Sequence, residues 1–157
     1  MEHKELYIKY EEYLPSELTG DDHDLVTAAI EARETAYAPY SEFAVGCAVR
    51  LQNGEVIIGS NQECSCFPAG QCAERAALFA VASRLTTGVR IQSVAIVGGK
   101  IETGISKRPI TPCGACRQVM YELEQRNEQP LRIILHGAEQ TFVLTGMDKL
   151  LPLPFLL

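Results

Sequence analysis

The roughly 18 consecutive apolar residues that a membrane-spanning helix needs occur nowhere in this chain. The apolar tail Leu150–Leu157 is too short and is broken by Pro152 and Pro154. The segment Met1–Tyr13 alternates Lys and Glu with Tyr and Leu and holds no apolar run suited to secretion. A cytoplasmic protein is therefore expected. Basic residues are in deficit, with 14 Lys and Arg against 20 Asp and Glu and a formal charge of -6. Such a surface repels phosphate backbones, which argues against a nucleic-acid polymer as partner. A small, uncharged or weakly charged ligand is the easier one. Internal repeats, low-complexity tracts and linkers are also missing, so residues 1–157 are expected to form a single domain. Disorder is excluded by an apolar fraction of 46%. Histidine is scarce: His3, His23 and His136 share no ligand spacing and read as surface or packing residues.

Cysteine is what the chain does have, six in all. Disulfides are rare in the cytoplasm, so some of these thiols are expected to serve a metal or a reaction, and the rest to be buried. Cys47, in an apolar run, reads as a small core residue.

Hydrophobic periodicity lays out the elements. Residues 4–13 alternate in period two and predict an edge strand. A helix is expected over 21–37, with Asp21 and Asp22 as N-caps and Pro39 closing it. Residues 43–51 and 55–60 flank Asn53-Gly54, a strong hairpin signal. Residues 72–85 predict a largely buried helix. Residues 91–97 predict a strand ended by Gly98-Gly99. A helix from Cys113 to about Arg126, strands at 132–135 and 141–144 and a helical turn at 147–151 complete the pattern. Strands alternating with helices after an opening hairpin imply an α/β domain, a mixed sheet with helices on both faces.

Position singles out three of the cysteines. Cys113 and Cys116 form a Cys-x-x-Cys pair opening one predicted helix, and Cys72 opens another with Glu74 two residues on. Zinc takes thiolate ligands, and a two-residue gap lets both sulfurs of a turn reach one ion. Free N–H groups and the dipole at a helix N-terminus lower a thiol's pKa. Three protein ligands suit a catalytic site, which keeps its fourth position for water, whereas structural sites are closed by four. Glu74 is placed as a proton shuttle rather than a ligand. A lone Cys-x-x-Cys pair equally fits a structural zinc knuckle or a redox pair, and a lone Glu at a helix start is often only a charge at the dipole. Cys72-Ala73-Glu74 with Pro112-Cys113-Gly114-Ala115-Cys116 matches a recorded pattern of zinc base deaminases.

With those pieces in hand, the sequence resembles the cytidine deaminase family, in its short, three-cysteine, homotetrameric branch. The resemblance is carried by residues 37–46 (Tyr37-Ala38-Pro39-Tyr40-Ser41-Glu42-Phe43-Ala44-Val45-Gly46), by Asn61-Gln62-Glu63, by Cys72-Ala73-Glu74-Arg75 and by residues 112–119. The tail Leu150-Leu151-Pro152 with Phe155 also resembles it. It implies a three-layer α/β/α sandwich around a mixed five-stranded sheet, here with an extra N-terminal strand. It implies hydrolytic deamination of cytidine and 2′-deoxycytidine in pyrimidine salvage, with one zinc ion per subunit held by Cys72, Cys113 and Cys116. Glu74 would shuttle protons, Asn61 and Glu63 would bind the ribose 3′-hydroxyl, and Phe43 would pack against the pyrimidine. The N–H of Ala73 would contact the base carbonyl, and Phe155 would reach a neighbouring subunit's site, giving a homotetramer with shared active sites.

Arg75 and Arg117 are expected to donate to the sulfurs, offsetting the net negative charge of three thiolates on a divalent ion. The family continues its Asn-x-Glu pair with Asn-Ala and an aromatic, where this chain has Cys64-Ser65-Cys66-Phe67. Two rival readings stay open: a related deaminase acting on a nucleoside-like antibiotic, free base or RNA, and an inactive four-sulfur zinc module.

Overall fold

A computed structural model describes all 157 residues. The elements run β1 (Glu11–Tyr13), α1 (Gly20–Arg33), β2 (Phe43–Leu51), β3 (Val56–Ser60), α2 (Ala73–Leu85), β4 (Ile91–Lys100), α3 (Gly114–Asn127), β5 (Arg132–His136) and β6 (Thr141–Thr145). One six-stranded sheet holds every strand, in the order β1-β6-β5-β4-β2-β3. The β4–β5 pairing is parallel and the others antiparallel, so the sheet is mixed as expected.

The helices divide between the two faces. Leu25, Val26 and Ala29 of α1 pack on Ala48, Ala95 and Ile134. Ala77, Leu78 and Val81 of α2, with Met120 and Leu123 of α3, pack on Val49, Ile96 and Ile133 from the opposite side. Period-two alternation along the strands supplies both apolar faces, and the expected three layers follow.

Several boundaries differ from the sequence reading. The expected edge strand over 4–13 shrinks to Glu11–Tyr13, because three residues of this segment find partners on β6, whose strand is only five residues long. Helix α1 stops at Arg33, short of residue 37. The Thr35 hydroxyl donates to Ala32 O (2.8 Å) and bonds Ser60 Oγ, tying the next turn to β3 instead. Thr19 is its N-cap, and Asp22 is free to form a two-pronged ion pair with Arg132 (2.6–3.2 Å). Strand β4 runs through Gly98 and Gly99, which pair with Val45 and Ala44. They are not strand breakers here. A side chain at Gly98 would run into Ile110 and Phe43, and one at Gly99 into Gly104 and Ser106, so the two glycines admit the 104–110 loop onto the sheet.

Gly59 plays a similar part for α2. A Cβ there would lie 2.6 Å from both Ala73 O and Ala77 N, backbone atoms of the helix's first turns. Gly59→Ala is therefore expected to push α2 off the sheet at a cost of about 1–3 kcal/mol. A thermal melt should show this as a drop of roughly 2–12 °C; an unchanged melting temperature would contradict the contact.

Candidate functional site

Two helix starts converge. Cys72 is the extended N-cap of α2 and Cys113 the extended N-cap of α3, with Cys116 one turn inside α3. Helix α2 is built from good helix formers such as Ala, Glu, Arg and Leu. Pro112 holds the residue before it in an extended conformation and helps start α3 at Cys113. Because the two helices lie side by side on one face of the sheet, their N-termini bring three sulfurs within 4.8 Å of one another, those of Cys113 and Cys116 being 3.5 Å apart. Three sulfurs about 2.3 Å from a tetrahedral ion would be spaced about 3.8 Å. The donor set therefore fits zinc, and no fourth Cys, His, Asp or Glu joins it. Cys64 and Cys66 lie outside the cluster, which removes the four-sulfur arrangement.

Crowding three thiols makes their protonation interdependent. Hydrogen bonding from the Cys116 thiol brings Cys72 down to about 5, and the Arg75 guanidinium assists, its Nη2 donating to Cys72 Sγ over 3.6 Å. Cys116 is driven the other way by the same partner and by burial. A thiolate and a neighbouring thiol sharing a proton are primed to exchange it for a divalent cation.

Glu74 is 5% exposed, in the first turn of α2. Burial raises its pKa, and the Cys72 sulfur adds to the rise, against the pull of its own backbone N–H, the Cys116 thiol and Arg75. Its carboxyl group lines a cavity of about 440 Å³ together with Cys72, Cys113, Ala73, Phe43 and Asn61. Ala73 is the first residue of α2, so its N–H has no partner within the helix. Phe43 opens β2 and lines the same cavity, its ring beside the space that Gly98 leaves.

The other expected residues are placed less simply. Both ends of the Asn61 amide are engaged with β2: Nδ2 donates to Phe43 O (2.9 Å) and Oδ1 accepts from Val45 N (2.8 Å). One N–H and one lone pair of that amide remain free. Glu63 lines a second, adjoining cavity of about 340 Å³ with Cys64 and Phe67. Its Oε2 accepts the N–H groups of Tyr40 (2.8 Å) and Ser41 (3.2 Å).

Arg117 does not reach the sulfurs. Its guanidinium donates to Pro112 O, Leu150 O and Thr111 Oγ1, and so ties the Cys113 loop to the chain's tail. Of the two arginines only Arg75 reaches a sulfur of the cluster. The reason is one of direction: Arg75 follows Cys72 by three residues on the same helical turn, whereas Arg117 points back to the loop before α3. Phe155 stays outside the cavity, 64% exposed, with its backbone clamped both ways by the Gln118 amide (3.0 and 3.1 Å). Cys47 is buried in β2, and His136 is buried with its ring on Thr141 Oγ1.

Sequence reasoning missed Ser41, Ile110 and Thr111, which line the main cavity. Thr111 immediately precedes Pro112-Cys113, and its place beside the ligand loop is the signal that could have found it. Ile110 arrives only through the loop packed over Gly98, a long-range contact with no local signature.

Comparison with known proteins follows this geometry. Residues 19–128 match a family model described as the cytidine and deoxycytidylate deaminase zinc-binding region. The chain is 46% identical over 104 residues to a cytidine deaminase from Halalkalibacterium halodurans, covering 66% of this chain and 72% of that one. It is 40% identical over 133 residues to one from Sporosarcina psychrophila, covering 84% and 89%. In three dimensions it resembles the crystal structure of cytidine deaminase from Burkholderia pseudomallei, with a TM-score of 0.69, 40% identity and coverage of 85% and 98%. The Mycobacterium tuberculosis cytidine deaminase gives 0.65, 33%, 88% and 100%.

Proposed function

This chain belongs to the cytidine deaminase family, and from that premise we propose that it hydrolyses the 4-amino group of cytidine and 2′-deoxycytidine. Ammonia leaves and the uracil nucleoside remains, a pyrimidine-salvage reaction in the cytoplasm. The observation that carries this reading is one cavity whose wall brings Cys72 and Cys113, two members of the three-sulfur cluster, together with a buried carboxyl group and an aromatic ring.

Cys72, Cys113 and Cys116 would hold one zinc ion per subunit. That ion would supply a Lewis acid able to lower the pKa of a water to about 7. Glu74 moves the protons. It takes one from the attacking water and delivers it to ring N3, so that C4 becomes the better electrophile; it then takes the second from the hydroxyl now on C4 and passes it to the amino group, which departs as ammonia. A carboxyl group with its proton affinity raised by burial suits both directions of transfer. Arg75, on the Cys72 sulfur, draws off part of the thiolate charge that would otherwise weaken the ion's pull on its water.

Phe43 packs against the pyrimidine, and the free N–H of Ala73 donates to the base carbonyl oxygen. The sugar then extends towards Glu63, whose Oε1 is uncommitted, and the remaining N–H of Asn61 serves the same 3′-hydroxyl. Phe155 is held in place yet turned outward, with Leu153, Leu156 and Leu157 also exposed beside it. That supports a tail which completes a neighbour's site in a homotetramer. Light scattering should give four times the single-chain mass; a monomer would refute the shared site.

The test of the activity is direct. Purified protein incubated with cytidine, deoxycytidine, cytosine and adenosine should release ammonia from the first two only. Protein that carries zinc yet releases none from either nucleoside would overturn the proposal.

A further inference from the structure

Ser41 is the one residue that lines both cavities, the one holding Glu74 and the one holding Glu63. Its Oγ accepts the N–H of Phe43 (3.1 Å), and its own N–H donates to Glu63 Oε2 (3.2 Å). Phe43 is gripped from its other side by Asn61 Nδ2 on its carbonyl (2.9 Å). The ring that walls the base cavity and the carboxylate that walls the sugar cavity thus meet through a single serine. The residue is exposed, so it serves no core, and no packing requirement explains a hydroxyl there.

We propose that Ser41 is a positioning residue that couples sugar recognition to base placement. By holding Phe43 and Glu63 at a fixed separation, it makes a nucleoside carrying a 3′-hydroxyl fit both cavities at once. This rests on the reading that Glu63 meets the 3′-hydroxyl. The hydroxyl also faces the Glu63 carboxylate and, with the Tyr40 N–H, holds that acid below its usual range, so the acceptor stays charged. Without the Ser41 hydroxyl, one Phe43 N–H loses its acceptor and Glu63 loses a polar neighbour. Neither change touches the sulfurs or Glu74. Substrate fit should suffer, and the chemical step should not.

The experiment compares cytidine with 3′-deoxycytidine as substrates for the parent protein, Ser41→Ala and Ser41→Thr. Zinc content and melting temperature are measured alongside. The parent should favour cytidine in kcat/KM by roughly tenfold or more, the worth of a hydrogen bond to a charged group. Ser41→Ala should raise KM for cytidine about five- to tenfold, leave kcat within about twofold, and bring the ratio of the two substrates close to one. Ser41→Thr, which keeps the hydroxyl, should restore the ratio. A parental preference that survives intact in Ser41→Ala, or an equal loss on both substrates, overturns the coupling while leaving Glu63 in place. A parent protein that deaminates both substrates equally well overturns the coupling and the sugar-binding role of Glu63 together.

Discussion

The Glu74→Gln protein is expected to fold and bind zinc like its parent, yet to turn over cytidine at least about 10³-fold more slowly. General acid–base catalysis is worth about 10²–10⁴ in rate, and here one side chain is asked to move a proton in at N3 and another out with ammonia. Glutamine has the same shape and fits the same buried niche, but it can neither accept nor release the proton. Burial already disfavours the carboxylate in the folded chain, so the neutral amide should melt no lower than the parent. Activity is here bought with a charge the fold would rather not hold. Following uridine formation by absorbance, with zinc measured on the same sample, separates the two effects. Turnover within a factor of ten of the parent would remove Glu74 from the reaction.

Loss of any one cluster sulfur should be as severe for a different reason. Cys72→Ala, Cys113→Ala and Cys116→Ala each leave two donors, too few to hold a divalent ion against dilution. Zinc affinity is expected to fall roughly 10²- to 10³-fold, since structural zinc sites of four ligands contribute about 10–16 kcal/mol, or about 2.5–4 kcal/mol per ligand. The damage should extend to stability. Cys72 and the Cys113–Cys116 pair belong to different helices, and an ion held by all three would cross-link their N-termini. Stripping zinc from the parent with a chelator should therefore lower its melting temperature, and should do little to a protein already lacking Cys113. Cys64→Ala and Cys66→Ala provide the controls, because neither thiol belongs to the cluster. Full zinc content in any of the three cluster variants would contradict that cysteine's assignment.

The cysteine cluster was legible in the sequence because its parts are local. Cys72 and Glu74 share one helix start, Cys113 and Cys116 share another, and spacing alone puts each set on one turn. The layers were legible for a similar reason, since β-rich runs at β2, β3 and β4 alternate with the helical periods of α2 and α3. What resisted reading depends on contacts far along the chain. Gly98 and Gly99 looked like strand breakers, and only the loop that crosses them explains why they are strand instead. The end of α1 was misplaced because Thr35 answers to Ser60, 25 residues on. Arg117 carried the right charge in the right motif, yet its direction is set by Leu150 O, 33 residues away.

The strand β1 precedes residue 19, where the family match begins. It adds one short rung beyond β6, and the adjacent Glu11 and Glu12 leave an exposed carboxylate on each face of it. An open row of peptide groups invites another molecule to zip on, and negative charge along it discourages the visitor. The addition acts as a stopper against fibre-like growth on that flank. It leaves β3, with Ile58 half in water, as the sole flank where a foreign chain can lay itself alongside the sheet.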